Sequence, residues 1–320
     1  MATHTQVLPD SEPTPEFDSQ CLKYVNLWQQ GDLRAAQVVT NLKQLAEDAT
    51  QSGHLANQGR AYHLLGYIQH YQGNLSGSIA YYDKARRLFD RVGNRKRVAT
   101  MDLNQGENYR YRGEHKRARR LYQQAYNTAQ ALDDVRLQTI AIANEGLTLI
   151  SLEKWSQAGD ALYEGLALSE QWADDDANLD ALRTEVYFGL AQVALQIDTP
   201  ETAWASARQA LITAETSQSL HSVGLSYRIL GDVLTVLSDI PADAQFDTPD
   251  EYYRAALDTF REIDAEAEIA RTIFSHANSL AKRKRRTPAA KRYREAMATF
   301  SRLGMTSDAA IAAEAQLRVI

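Results

Sequence analysis

The chain has 320 residues, 44% of them hydrophobic, with a formal net charge of −6 and a pI near 5.7. An acidic balance argues against a general nucleic-acid binder, which needs a basic face to displace counterions from phosphate. The lone Cys21 excludes an intramolecular disulfide framework, and no run of about 18 apolar residues is present to span a bilayer.

Residues 1–15 carry three prolines, several Thr and Ser, and no helical periodicity, so a disordered tail is expected there. The start also lacks the basic and apolar regions of a signal peptide, which with the free thiol predicts a cytoplasmic protein. A degenerate first helix pair follows over 16–52, turning at Gly31-Asp32, with Tyr24 where later pairs carry glycine.

The second pair, 55–92, sets the pattern for the rest. Its first helix runs through Tyr62, Leu65 and Gly66 to a Gly73-Asn74 turn, and its second helix carries Ser78, Tyr82 and Ala85. The glycine recurs at Gly106, Gly146, Gly189 and Gly231, at spacings of 40, 40, 43 and 42 residues. The second-helix triplet recurs as Ala118, Tyr122, Ala125; Ala158, Leu162, Gly165; Ala203, Ala207, Ala210; and Ala289, Tyr293, Ala296. Small residues flank a large one because each second helix wedges one bulky side chain between two close backbone contacts.

These repeats predict further pairs at 95–132, 135–173, 177–217, 219–264 and 265–304, followed by a capping helix over 305–320. The expected domain is one solenoid over 16–304. Asp133-Asp134 and Asp174-Asp175-Asp176 fit helix stops and caps between pairs. The sixth pair carries an acidic insertion, Ser238 to Pro249, expected as a surface loop, and the seventh replaces the glycine by Ala277. The basic run Lys282-Arg283-Lys284-Arg285-Arg286 fits the solvated end of a helix, where cations offset the helix dipole.

The order of residues from Tyr62 to Ala85, repeated along the chain, resembles the tetratricopeptide (TPR) family. Repeats of about 40 residues are longer than the usual 34 and are similar to those of LGN/Pins-type scaffolds and of TPR sensor domains in bacterial regulators. The resemblance implies an all-α fold: a right-handed TPR superhelix, or α-solenoid, of about seven antiparallel helix pairs plus a C-terminal capping helix.

The resemblance also implies that first helices line a concave groove. By register the candidate ligand-binding residues are Arg60, His63, Tyr67 and Tyr71, with His70 beside them; Asn104, Glu107, Arg110 and Tyr111; Asn144; Arg183 and Tyr187; and Arg228. Asn104 and Asn144 each stand two residues before the repeat glycine, so they form an expected carboxamide ladder able to pair with a peptide backbone. An apolar stripe of Ile140, Ala143, Leu147, Ile150, Val186, Leu190 and Val193 is expected to continue the groove or to pack between repeats. The Lys and Asn carboxylate clamp of chaperone-binding TPR proteins is not reproduced.

Catalysis finds no motif: there is no phosphate-binding loop, nucleophile elbow, HExxH or CxxC. His63 and His70 lie seven residues apart, too far along a helix to share one metal. No enzyme activity, cofactor or metal is therefore expected. The expected function is a protein-interaction scaffold or adaptor whose partner is a protein or peptide, acidic or of mixed polar and apolar character. Self-association is compatible with the repeats, and no membrane contact is expected. The alternative is a sensor or regulatory protein of a bacterial signalling or transcription system acting with a separate effector. Nucleic-acid binding through the basic clusters is the least favoured reading.

Overall fold

A computed structural model of the chain describes residues 11–30, 32–172, 177–263 and 265–319. Among the described residues there are fifteen α-helices and no strand. The chain divides into two units, one ending at Leu152 and the other beginning at Glu153. Turn residue Gly31, the 174–176 aspartates and residues 1–10 of the expected tail lie outside the described residues.

The first unit holds α1 (Pro15–Gln29), α2 (Ala35–Gln51), α3 (Leu55–Tyr71), α4 (Leu75–Arg91), α5 (Arg95–Tyr111), α6 (His115–Gln130) and α7 (Val135–Ser151). Capping explains where these helices begin. The side chains of His54, Asn74, Asn94 and Asp134 each accept the backbone N–H three residues on, meeting a donor that the helix leaves unpaired. At the preceding turn Gly73 adopts φ +76°, a left-handed conformation that closes the helix end and favours glycine. Asp133 takes the equivalent place ahead of α7 at φ 53°.

The repeat glycines allow the approach of α3 to α4 and of α5 to α6. A Cβ on Gly66 would stand 2.6 Å from the Tyr82 ring, and one on Gly106 would stand 2.6 Å from Tyr122. The lengthened repeat duplicates this contact. A Cβ on Gly59 would stand 3.1 Å from the Phe89 ring, and these two residues lie seven before Gly66 and seven after Tyr82, so the extra length is locked by a second glycine–aromatic pair.

The second unit holds α8 (Trp155–Ser169), α9 (Ala177–Gln196), α10 (Pro200–Thr216), α11 (Leu220–Leu234), α12 (Pro249–Glu262), α13 (Glu266–Lys282), α14 (Arg286–Arg302) and α15 (Thr306–Leu317). The double contact recurs between α11 and α12, where Gly224 meets Phe260 and Gly231 meets Tyr253. Its core includes Trp204, Leu211, Leu230 and Tyr252, all buried.

The acidic insertion is pinned to this unit. Asp243 accepts from Trp204 Nε1 at 2.9 Å and from Arg208 Nε at 3.3 Å, and the Tyr252 hydroxyl accepts from the backbone of Gln245 at 2.9 Å. At the start of α12, Asp250 accepts from His276 Nε2 at 2.7 Å, Arg283 Nη2 at 2.6 Å and Arg285 Nη1 at 3.2 Å. The acidic segment and the basic run therefore meet at Asp250. Its carboxyl is pushed up by burial, but hydrogen bonds from Arg283 and His276 outweigh this and hold it at about 2.

The last part of the expected disordered tail is ordered. Ser11 is 1% exposed and Thr14 caps α1 by accepting from Phe17 N–H at 3.4 Å. Composition suggested too little apolar area to order this stretch. Polar partners more than 40 residues away in sequence hold it instead.

Candidate functional site

In the first unit the first helices of successive pairs bring one face together. On α3 the face runs through Arg60, His63, Tyr67, His70 and Tyr71; on α5 it runs through Asn104, Glu107, Arg110 and Tyr111. Spacings of three and four residues put each set on one side of its helix.

The deep end of this face is polar and internally paired. Arg60 Nε donates to Asp18 of α1 at 2.5 Å, and its Nη1 lies 3.2 Å from His63 Nδ1. Asn104 stands 3.2 Å from His63 Nε2. Burial lowers the His63 pKa well below its ordinary value, and Arg60 and Arg97 act in the same direction, so this imidazole is neutral. Next along the helix, His70 Nδ1 pairs with Asn108 Oδ1 at 2.7 Å, and Asn108 Nδ2 donates to Ser78 Oγ at 2.9 Å.

The outer end is aromatic. Tyr67 and Tyr71 have ring centroids 4.7 Å apart, and Trp28 of α1 meets them edge-on at 6.2 and 5.9 Å. His70 bridges Tyr71 at 5.5 Å and Tyr111 at 5.6 Å, and the Arg110 guanidinium lies over Tyr111 at 4.9 Å. Tyr71 and Tyr111 are 63% and 58% exposed. Three neighbouring helices thus present a continuous strip of rings with two phenols in solvent, flanked by Arg110 and Glu107.

The remaining candidates do not join this cluster. Asn144 on α7 donates to the Ile140 carbonyl of its own helix at 3.0 Å, so the two asparagines of the expected ladder are differently engaged. In the second unit Arg183 donates to Ser169 Oγ at 3.1 Å and to its carbonyl at 2.9 Å, tying α9 to α8, and Tyr187 shares a shallow cleft with it. Arg228 is 9% exposed and bonds Glu268 of α13 at 2.6 Å, with Phe188 and Phe260 beside its guanidinium. A guanidinium in that setting holds helices together. Of the apolar stripe, Ala143, Val186, Leu190 and Val193 are buried and pack in the interior.

Residues 57–131 match the tetratricopeptide repeat family model. No curated protein matches the sequence. Among solved structures the chain is similar to the apo form of RapI, with a TM-score of 0.72 at 13% identity over 90% of this chain and 99% of that one. A Rap protein complexed with competence and sporulation factor aligns with a TM-score of 0.60 at 12% identity, covering 96% of this chain and 98% of that one. The Rap conjugation gene regulator of plasmid pLS20 in complex with the Phr* peptide aligns with a TM-score of 0.60 at 15% identity over 96% and 97%. At these identities the likeness is one of fold.

Residues 57–131 are thus similar to tetratricopeptide repeats, and the chain shares the fold of TPR solenoids. Its helix pairs and its glycine–aromatic wedges are those of the TPR solenoid.

Trp28 is a member of the aromatic strip that register did not supply, because the first repeat lacks the marker glycine by which the others are aligned. An available signal was its place three residues before Gly31, close to where Tyr71 and Tyr111 precede Gly73 and Gly113. Some of the cations are paired: in the basic run 282–286 Arg283 and Arg285 share Asp250, and in a second basic stretch, 112–120, Arg119 bonds Glu145 at 2.9 Å while Arg112 and Arg117 flank Glu114. Cys21 is 0% exposed and burial pushes its thiol up to about 12, far from the thiolate that nucleophilic chemistry needs. Among the described residues no His, Cys, Asp or Glu cluster suits a metal ion, and no helix is long and apolar enough to cross a membrane.

Proposed function

We propose that this chain is a non-catalytic interaction scaffold that takes a peptide or protein segment on the first-helix face of its first unit. The observation that carries this reading is the aromatic strip. Trp28, Tyr67, Tyr71 and Tyr111 are drawn into one patch, yet Tyr71 and Tyr111 stay more than half exposed. Large rigid rings bury much area at low entropic cost, which makes exposed Tyr and Trp clusters natural anchors for a partner.

The neighbouring Arg110 and the polar floor suit a segment with an acidic or mixed polar and apolar character. Arg60 contributes through the floor, since Asp18 already holds it. Two proteins alike in fold are seen in complexes, one with competence and sporulation factor and one with the Phr* peptide, which supports the same use of the solenoid here. That likeness also favours a second reading, a cytoplasmic sensor in which peptide binding controls a separate effector.

The test is site-specific photo-crosslinking in a native lysate, with a photoreactive phenylalanine at position 71 or 111 and, as control, at Tyr163, an exposed residue of α8. Discrete adducts from the first two positions and none from the third support the reading. Adducts confined to position 163, or none at all, contradict it.

A further inference from the structure

Ahead of α1, residues Ser11–Thr14 lie across the N-terminal ends of α3 and α5. Thr14 N–H donates to Asn57 Oδ1 at 2.8 Å, while Asn94 Nδ2 donates to the Ser11 carbonyl and to Glu12 Oε1, each at 2.8 Å. The Glu12 carboxylate also accepts from Arg97 Nε at 2.6 Å. Ser11 and Pro13 are both buried.

The receiving groups belong to the helices and are fixed by them. Asn94 is the N-cap of α5, its Oδ1 accepting Arg97 N–H at 3.0 Å, and it is 6% exposed. Asn57 is 8% exposed, and its backbone N–H is held by the α3 cap His54 at 3.2 Å. The Arg97 guanidinium rests on the Phe89 ring at 5.4 Å. Two carboxamides on neighbouring helices thus read one N–H and one C=O of a non-helical backbone, which requires no particular side chains, and an arginine adds a preference for a carboxylate. Helical spacing makes this place the N-terminal continuation of the face that carries Arg60, His63 and Tyr67.

We propose that Asn57, Asn94 and Arg97 form a peptide-binding subsite for a non-helical acidic segment, filled in cis by Ser11–Thr14, so that an outside peptide of that chemistry enters only as this strap leaves. The strap is held in a way that permits exchange. Ser11 Oγ is enclosed without a hydrogen-bond partner, and the ion pair that secures Glu12 is open to water, with side chains 24% and 48% exposed. Tethering raises the local concentration of the strap to roughly the millimolar range for a short link, so a free peptide must bind well to displace it. The inference does not depend on the aromatic strip.

The experiment titrates a fluorescent synthetic peptide spanning residues 8–17 onto the full chain and reads anisotropy. Glu12→Arg places like charge against Arg97 and releases the strap, so this variant is expected to bind the wild-type peptide at least tenfold more tightly than the unsubstituted chain does. The double variant Glu12→Arg/Arg97→Glu restores the pair with its charges exchanged and is expected to lose that gain. Equal affinity for the unsubstituted chain and Glu12→Arg, or a gain that survives Arg97→Glu, overturns the proposal. In the unsubstituted chain, excess peptide is expected to speed hydrogen exchange at the Thr14 amide as the strap is displaced; an unchanged rate under saturating peptide also overturns it.

Discussion

Asn104 reaches from α5 to within 3.2 Å of Nε2 of His63 on α3, and the other ring nitrogen of His63 faces Arg60 Nη1 at 3.2 Å. A guanidinium only donates, so Nδ1 accepts and the neutral ring carries its proton on Nε2. The Asn104 end that meets Nε2 therefore acts as acceptor, its oxygen, through a flip of two nearly isosteric ends. Asn144, by contrast, is bonded to its own helix. Asn104→Ala is expected to cost about 1 kcal/mol by leaving the His63 N–H unpaired, while Asn144→Ala stays within about 0.5 kcal/mol. Urea denaturation of the two variants side by side checks this; equal effects would contradict the difference in engagement.

Glycines inside helices differ in how much room they have, as the repeat glycine Gly106 and Gly159 of α8 show. On Gly106 a Cβ would stand 2.6 Å from the Tyr122 ring, whereas on Gly159 the nearest atom, Val193 Cγ1, is 3.5 Å away. Gly106→Ala is expected to destabilise by about 1–3 kcal/mol through overpacking. Gly159→Ala is expected to be neutral or to stabilise by up to about 1 kcal/mol through helix propensity. Thermal melts of both variants decide it.

Arg228 and Glu268 form an ion pair with side chains only 10% and 12% exposed. Arg228→Ala leaves the Glu268 carboxylate short of its main partner, with Arg271 still beside it. The expected loss is roughly 2–3 kcal/mol, below the full cost of stripping a buried carboxylate of every partner. A loss under about 0.5 kcal/mol in chemical denaturation would mean that Arg228 is not structural.

Asp232 supplies a pH signature. Burial pushes its carboxyl up to about 6, against the lowering effect of a 2.7 Å hydrogen bond from the Tyr253 hydroxyl. A carboxyl raised in the fold favours the protonated form there, so its contribution to stability is present below about pH 4 and lost as pH rises through about 6. Asp232→Asn keeps an acceptor for Tyr253 and cannot ionise. Its stability relative to the unsubstituted chain is expected to rise by roughly 2 kcal/mol between pH 4 and pH 7.5. Denaturation curves at the two pH values read the difference directly, and a gap that does not change with pH contradicts the assignment.

The fold was legible because its determinants are local and periodic: Gly66 with Tyr82 and Gly106 with Tyr122 recur at one spacing, and caps such as Asn94 and Asp134 sit at helix starts. The strip of Tyr67, Tyr71 and Tyr111 was legible for the same reason. Register alone did not show what each side chain touches. Arg228 stood at a groove position, but its partner Glu268 lies 40 residues on, at the matching place one pair later, and that pairing turns the side chain inward. Ser11–Thr14 read as unordered because the residues that hold them, Asn57, Asn94 and Arg97, are 43 to 85 residues away. Contacts at that separation leave no mark in local composition.

The most direct test of the central claim is selection of binders from a displayed random-peptide library on the unsubstituted chain, followed by anisotropy titration of the selected peptides. The readout compares Tyr71→Ala, Tyr111→Ala and Tyr163→Ala, with circular dichroism confirming that each is folded. Truncating an aromatic anchor costs about 2 kcal/mol, or roughly 30-fold in affinity, so Tyr71→Ala and Tyr111→Ala are each expected to weaken binding by that order and Tyr163→Ala to leave it unchanged. Selected peptides that bind all three folded variants equally would contradict recognition on the first-helix face of the first unit.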